Sequence, residues 1–287
     1  MSEANHNAGR AAMLFAEVST SSGPRKSASA ADGAEDMELG EDSGGVLFPD
    51  GDSALVWVAD GTSQTSKCGP FSSRILAQDL GKAFTMRAIL GRLVLNPTGW
   101  DAAFLGRCLR ASIHDVMDEW NEMLAPESPI AKVMAERIAS MQAPLTPEGN
   151  RFFEFSTTFS AAGLNRGGQW QAAGIGDSYL ILNESGQTRF SALERGQITI
   201  RIRNADPGLE LSQHIPPIQQ FDGTSANLIC LSSDGTRETV QFLYETLHND
   251  REFTLDQLPA LKKKISRVKP RSQDDKTLAL LGRFYQD

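Results

Sequence analysis

The chain has 287 residues, 40% of them hydrophobic and 22% charged, enough to bury a substantial core in one large domain or two modest ones. Its formal net charge of -8, from 28 Lys plus Arg against 36 Asp plus Glu, argues against a general nucleic-acid binder. The odd, widely spaced set Cys68, Cys108 and Cys230 excludes a disulfide framework or zinc site, and no stretch is apolar enough for a signal peptide or a bilayer span, so a cytoplasmic protein with no membrane partner is expected.

In chain order, residues 1–12 are polar and Ala-rich and read as a frayed, disordered N-terminus, and residues 13–287 as a single domain. Residues 14–18 suit a first strand, followed by a Ser, Gly and Asp rich loop over 19–40. Residues 45–48 and 53–59 flank Pro49-Asp50-Gly51-Asp52, a hairpin signature. Apolar residues at helical spacing follow from Phe71 to Leu93 and from Phe104 to Leu124, with Thr98 as expected N-cap of the second helix. A third helix over 130–141 is bracketed by prolines and reads as part of an insertion at 125–150. Strands are expected at 153–161, 169–175, 179–183 and 227–231, with an irregular surface flap over 192–222. Helices over 237–248 and 254–268 and a strand after Asp275 complete the chain. Trp57, Trp100, Trp120 and Trp170 read as packing residues. Strands and helix pairs in separate runs predict an α+β sandwich with an antiparallel core, because most links between strands are too short for parallel crossovers.

Five acidic steps stand at the edges of these apolar runs: Glu41-Asp42, Asp60-Gly61, Gly176-Asp177-Ser178, Ser233-Asp234-Gly235 and Asp274-Asp275. In the predicted hairpin, Asp42 starts one strand and Asp60 ends its antiparallel neighbour, so both reach the same end. Each step alone is an ordinary turn sequence. Together, carboxylates at one end of a sheet repel one another unless cations intervene, and an all-oxygen donor set suits Mg²⁺ or Mn²⁺ better than Zn²⁺.

The ordered set Glu41-Asp42-Ser43, Val58-Ala59-Asp60-Gly61, Gly176-Asp177-Ser178, Ser232-Ser233-Asp234-Gly235 and Asp274-Asp275-Lys276-Thr277 resembles the metal-dependent serine/threonine protein phosphatase family, type 2C, over about residues 40–284. The resemblance implies a four-layer αββα sandwich, a central antiparallel β-sandwich flanked by antiparallel helix pairs, with two Mn²⁺ or Mg²⁺ ions at one edge. It places the metals on Asp42, Asp60, the Gly61 carbonyl, Asp234 and Asp274, and a third ion on Asp177 and Glu238. Glu41 and Asp275 are softer candidates. The implied activity is hydrolysis of phosphoserine or phosphothreonine in proteins by water bridging two ions, with no protein nucleophile.

Two positions depart from the family pattern. The phosphate-gripping Arg before the first acidic pair is absent, since Met37 stands there; either Arg25 or Lys26, the nearest basic residues upstream, reaches in from the loop as the phosphate contact, or phosphate binding relies on the metals and is weaker. Thr62 stands where some members carry His, and none of His6, His114, His214 or His248 is near a motif in sequence. These departures keep two other readings open: a pseudophosphatase acting as a binding module, and a hydrolase of small phosphoesters. Selectivity is expected in the flap and the insertion.

Overall fold

A computed structural model describes residues 12–21, 40–62, 71–95, 103–140, 152–184, 187–205, 208–249, 259–260, 263 and 274–285. Two antiparallel sheets lie face to face. One runs β1-β12-β11-β6-β7, formed by Ala12–Ser21, Lys276–Tyr285, Ala226–Ser232, Tyr179–Glu184 and Gln187–Ala192. The other runs β10-β5-β4-β3-β2, formed by Gln219–Gly223, Trp170–Ile175, Phe152–Asn165, Ser53–Gly61 and Ser43–Leu47. The long β4 forks this sheet. Its later half pairs with β5, and its first half pairs with β8 (Ile198–Ala205), which carries β9 (Gly208–His214).

The period-two alternation of strand side chains explains the layering. Along β3, Ala54, Val56 and Val58 face the opposite sheet and pack with Ile229, Leu231, Ala279 and Leu281. Leu55, Trp57 and Ala59 face the helices. A strand covered on both sides reads as an unbroken apolar run, and residues 54–59 are one. On the far sheet, Leu228, Cys230 and Leu280 point outward under Val240, Leu243 and Leu247.

Helix α1 (Ser73–Leu90) and helix α2 (Phe104–Met123) cover the β3–β4 face. Ser72 caps α1 by accepting the Ile75 N–H at 3.1 Å. The pair is antiparallel: Asp79 accepts from Trp120 Nε1 at 3.2 Å, while Arg87, two turns further along α1, pairs with Asp115, earlier in α2. Gly81 lets the Trp57 indole lie against α1, where a Cβ would fall 2.1 Å from the ring. The indole then donates to Thr85 at 3.1 Å and stacks on Phe159. A π-helical turn (Gly91–Leu95) carries Arg92 back to Asp50 in the β2–β3 turn, at 2.8 Å. Trp120 and Trp170 are buried as expected. Trp100 and Thr98 lie outside the described residues, as does the helix expected at 254–268 except for residues 259, 260 and 263, which are helical. Ala103 takes the N-cap position of α2, with no side-chain cap.

One expectation needs correction. Residues 192–222 are not an irregular flap, because β8, β9 and β10 extend the second sheet. Ile198, Ile200 and Ile202 face inward, while Arg201 and Arg203 pair outside with Glu154 and Glu210. Gly208, with φ +96, borders the β8–β9 hairpin turn, and Pro216 and Pro217 lie in the connection from β9 to β10. Of the insertion expected at 125–150, residues 125–140 are described. Helix α3 (Pro129–Ser140) buries Ala131, Met134 and Ile138 and packs on β8 and β9. Proline at the first helical position fits, since its missing N–H is an orphan there in any case. Helix α4 (Arg237–Asn249) forms the fourth layer, giving the predicted α+β, αββα order. Among the described residues, no helix is long and apolar enough to cross a membrane.

Candidate metal centre

One end of the sandwich gathers the acidic steps, because β2 and β12 start there while β3, β5 and β11 end there. The β2–β3 register sets Ser43 beside Ala59, so Asp42 and Asp60 are neighbours. The β3–β4 register sets Asp60 beside Thr158, and Thr157 Oγ1 donates to the Asp60 carbonyl at 2.9 Å. β5 then turns at Gly176 (φ +122), whose α-hydrogen face lies on Thr158, and delivers Asp177.

The other sheet contributes Asp234 and Asp274 through a reciprocal clamp. The Ser233 N–H donates to the Thr277 carbonyl at 3.0 Å, and the Thr277 N–H donates to Ser233 Oγ at 3.0 Å. Asp234 opens a 3₁₀ turn (Asp234–Thr236) that leads into α4. Gly235 is required by space: a Cβ there would lie 2.0 Å from the Asp275 carbonyl oxygen. Gly61 is equally confined, with the Ser73 carbonyl 2.9 Å from where a Cβ would stand.

Asp275 is 2% exposed, and its carboxylate accepts the Glu41 N–H at 2.5 Å. It also lies against Gly40, whose φ of +70 suits glycine. This carboxylate joins the segment before β2 to the segment before β12. Glu41 contributes its backbone, accepting the Gly61 N–H at 3.4 Å. Both softer candidates thus have backbone partners that shape the edge.

Burial, and after it mutual repulsion, raises these carboxyls. Burial pushes Asp42 up to about 6, with Asp275 adding to it and Asp60, Ser233 and Thr277 offsetting part. Both Asp42 carboxylate oxygens are buried without a donor in hydrogen-bonding geometry among the described residues. Asp60 rises well above the usual carboxylate range through burial and the charges of Asp42, Asp234 and Asp274. Asp234 rises through burial and the charges of Asp177 and Asp274. Burial pushes the Tyr179 hydroxyl up, with the charges of Asp234, Asp177 and Glu238 adding to it and Arg237 offsetting part; among the described residues, a buried oxygen of Glu238 has no hydrogen-bond partner.

Orphaned buried oxygens and mutually raised carboxylates are what an all-oxygen cation site looks like without its cations. Among the described residues, no three His, Cys, Asp or Glu side chains already form a single-ion cage. Mg²⁺ keeps several waters and takes only one or two carboxylates, so this open donor set fits such an ion. The Thr62 hydroxyl, at the position of interest for leaving-group protonation, donates to the Ser156 carbonyl at 3.0 Å and meets Ser73 Oγ. Arg25 and Lys26 lie outside the described residues.

Sequence reading overlooked the residues that hold the backbone of the acids in place: Thr157, Ser233 and Thr277. Ser233 and Thr277 sat inside the quoted motifs; Thr157 carried no signal. It also overlooked His214, which with Asp177, Arg195, Gly196, Gln197 and Thr199 lines a cavity of about 340 Å³.

No family model matches the chain, and no curated protein matches it. Solved structures do. A bacterial serine phosphatase bearing a point mutation aligns at 15% identity over 96% of this chain and 99% of that one, with a TM-score of 0.51. RsbX in complex with magnesium aligns at 13% identity over 94% and 95%, TM-score 0.49. The serine/threonine phosphatase Stp1 from Staphylococcus aureus aligns at 16% over 94% and 95%, TM-score 0.47. With its two antiparallel sheets and outer helices, the chain has the fold of the bacterial type 2C serine phosphatases.

Proposed function

We propose that this chain is a Mn²⁺- or Mg²⁺-dependent phosphatase acting on phosphoserine and phosphothreonine in proteins. The observation that carries the reading is the convergence of Asp42, Asp60 and Asp234 from separate strands, each with its carboxyl raised by burial and neighbouring charge. Asp42, Asp60, the Gly61 carbonyl, Asp234 and Asp274 would hold two ions, and Asp177 with Glu238 a third. Bound there, hard divalent cations supply an activated water and charge neutralisation for phosphoester hydrolysis.

The protein's own part is positioning. Thr157 and the Ser233–Thr277 clamp fix the backbone that presents the acids. Cys108 and Cys230 are buried, and burial pushes both thiols upward, Cys108 to about 11, which removes them as nucleophiles. With the Thr62 hydroxyl engaged, protonation of the leaving oxygen falls to solvent.

The test is hydrolysis of a phosphoserine peptide and of an aryl phosphate with and without Mn²⁺. The reading expects metal-dependent turnover that Asp60→Asn and Asp234→Asn remove; turnover indifferent to both changes contradicts it. A second reading, a binding module without turnover, draws on the missing family arginine before the first acidic pair and on Thr62 in place of histidine. Calorimetric Mn²⁺ titration separates the two, since only the hydrolase requires a tightly held pair.

A further inference from the structure

A dianionic phosphoryl group approaching this edge meets carboxylates, and a cationic side chain facing it would add to the neutralisation that divalent ions supply. The connection between β7 and β8, residues 193–197, crosses directly over the turn that carries Asp177. The Leu193 N–H donates to the Ser178 carbonyl at 3.0 Å, and Leu193 packs on Gly174. The Gly196 carbonyl lies 3.2 Å from where a Gly176 Cβ would stand. Glu194 is pinned from the other side, its N–H donating to Gln219 Oε1 at 3.0 Å and its carbonyl accepting from Gln219 Nε2 at 3.4 Å. Arg195 therefore leaves a fixed backbone. Its exposed side chain has no hydrogen-bond or ion-pair partner among the described residues. It lines the cavity shared with Asp177, Gln197, Thr199 and His214.

We propose that Arg195 grips the substrate's phosphoryl group, resting on the phosphatase reading above and relocating the missing phosphate-binding arginine to the β7–β8 connection. Other cations at this edge are less suited. The Lys276 ammonium donates to the Asp274 carbonyl at 2.7 Å, and Arg237 stands beside Tyr179. A guanidinium suits the task because its fork of N–H donors matches phosphate oxygens in pairs, which an ammonium does not. Asp177, in the same cavity, opposes an anion, so binding is expected to need Mg²⁺.

The experiment measures equilibrium binding of a fluorescent peptide carrying a non-hydrolysable phosphonate in place of phosphoserine, against its unmodified twin, in Mg²⁺. Arg195→Ala should weaken phosphonate-peptide binding by about 10- to 100-fold, the range for one charge-assisted contact, and leave the twin unchanged. Arg195→Lys should fall between. Arg203→Ala, which removes the same charge from the remote β8–β9 hairpin, should have no effect. Thermal melting verifies that each variant folds. Unchanged affinity in Arg195→Ala, equal weakening of both peptides, or no preference of the wild type for the phosphonate overturns the proposal. If the wild type binds selectively through Arg195 yet turns over no phosphopeptide, the hydrolytic reading falls and this proposal stands. If it turns over substrate and Arg195→Ala does so equally, the reverse holds.

Discussion

Replacing Gly235 by alanine should damage both the fold and the site. The new Cβ would stand 2.0 Å from the Asp275 carbonyl oxygen, 3.1 Å from its carbon and 3.4 Å from the Asp274 Cβ. Ordinary contact begins near 3.4 Å, so either the turn opening at Asp234 or the segment at 274–275 must move by about 1.4 Å. Both partners are backbone, and the Ser233–Thr277 clamp binds them together, so neither can yield by rotating a side chain. Overpacking of this kind costs about 1–3 kcal/mol. In a chain of this size that lowers Tm by roughly 2–5 °C. The same shift pulls Asp234 away from Asp274, and a displacement of about 1 Å at a reacting centre can cost ~100-fold in rate. Thermal melting and Mn²⁺-dependent turnover of an aryl phosphate are the assays. Gly51→Ala is the control, because nothing lies within 4 Å of its added Cβ. If Gly235→Ala melts and turns over as Gly51→Ala does, the close approach of the two strand ends is wrong, and with it the geometry of the site.

In metal-free protein, Asp42 should make stability fall as pH rises. Its folded pKa, about 6, exceeds the ordinary carboxyl value of 3.8, so the folded state holds the proton more tightly. The stabilisation is complete below about 3.8 and lost as pH climbs through 6, at most about 3 kcal/mol. Urea melts of wild type and Asp42→Asn across that window measure it as a difference; a wild type that gains stability relative to the variant as pH rises contradicts the assignment. Asp60→Asn should raise the metal-free Tm, since it deletes a buried charge facing Asp42, Asp234 and Asp274, while cutting turnover by at least ~100-fold. A variant less stable without metal would mean that the acids do not repel. Arg92→Ala should lose about 1–3 kcal/mol in urea melts, because Arg92 is 5% exposed and its loss strands Asp50. Its Mn²⁺-dependent turnover should stay at the wild-type level, since the β2–β3 turn lies at the opposite end of the strands from the acids.

The layers were legible where one residue class repeats with one period. Residues 54–59 and 227–231 announce buried strands by unbroken apolar runs, and α2 announces itself by Leu105, Leu109, Ile113, Val116 and Trp120. The edge position of Asp42 and Asp60 followed from hairpin logic alone. What stayed hidden depends on contacts between distant segments. β8 alternates Ile with Thr and Arg, a good strand pattern, but prolines and glycines around it read as loop, and only pairing with β4 and cover from α3 reveal the strand. Asp275 looked like a twin of Asp274, and only the approach of Glu41 separates their roles. Arg195 and His214 share a cavity with Asp177 because the β7–β8 connection folds over the Gly176 turn, a relation that spacing along the chain does not encode.

The most direct test is anomalous diffraction from crystals grown with Mn²⁺. Two peaks about 3.5–4 Å apart among Asp42, Asp60, Asp234 and Asp274 are predicted, with oxygen-only ligands. Crystals that show no Mn²⁺ among these four carboxylates, or Mn²⁺ seated elsewhere on the chain, would contradict the claim that this edge exists to hold cations.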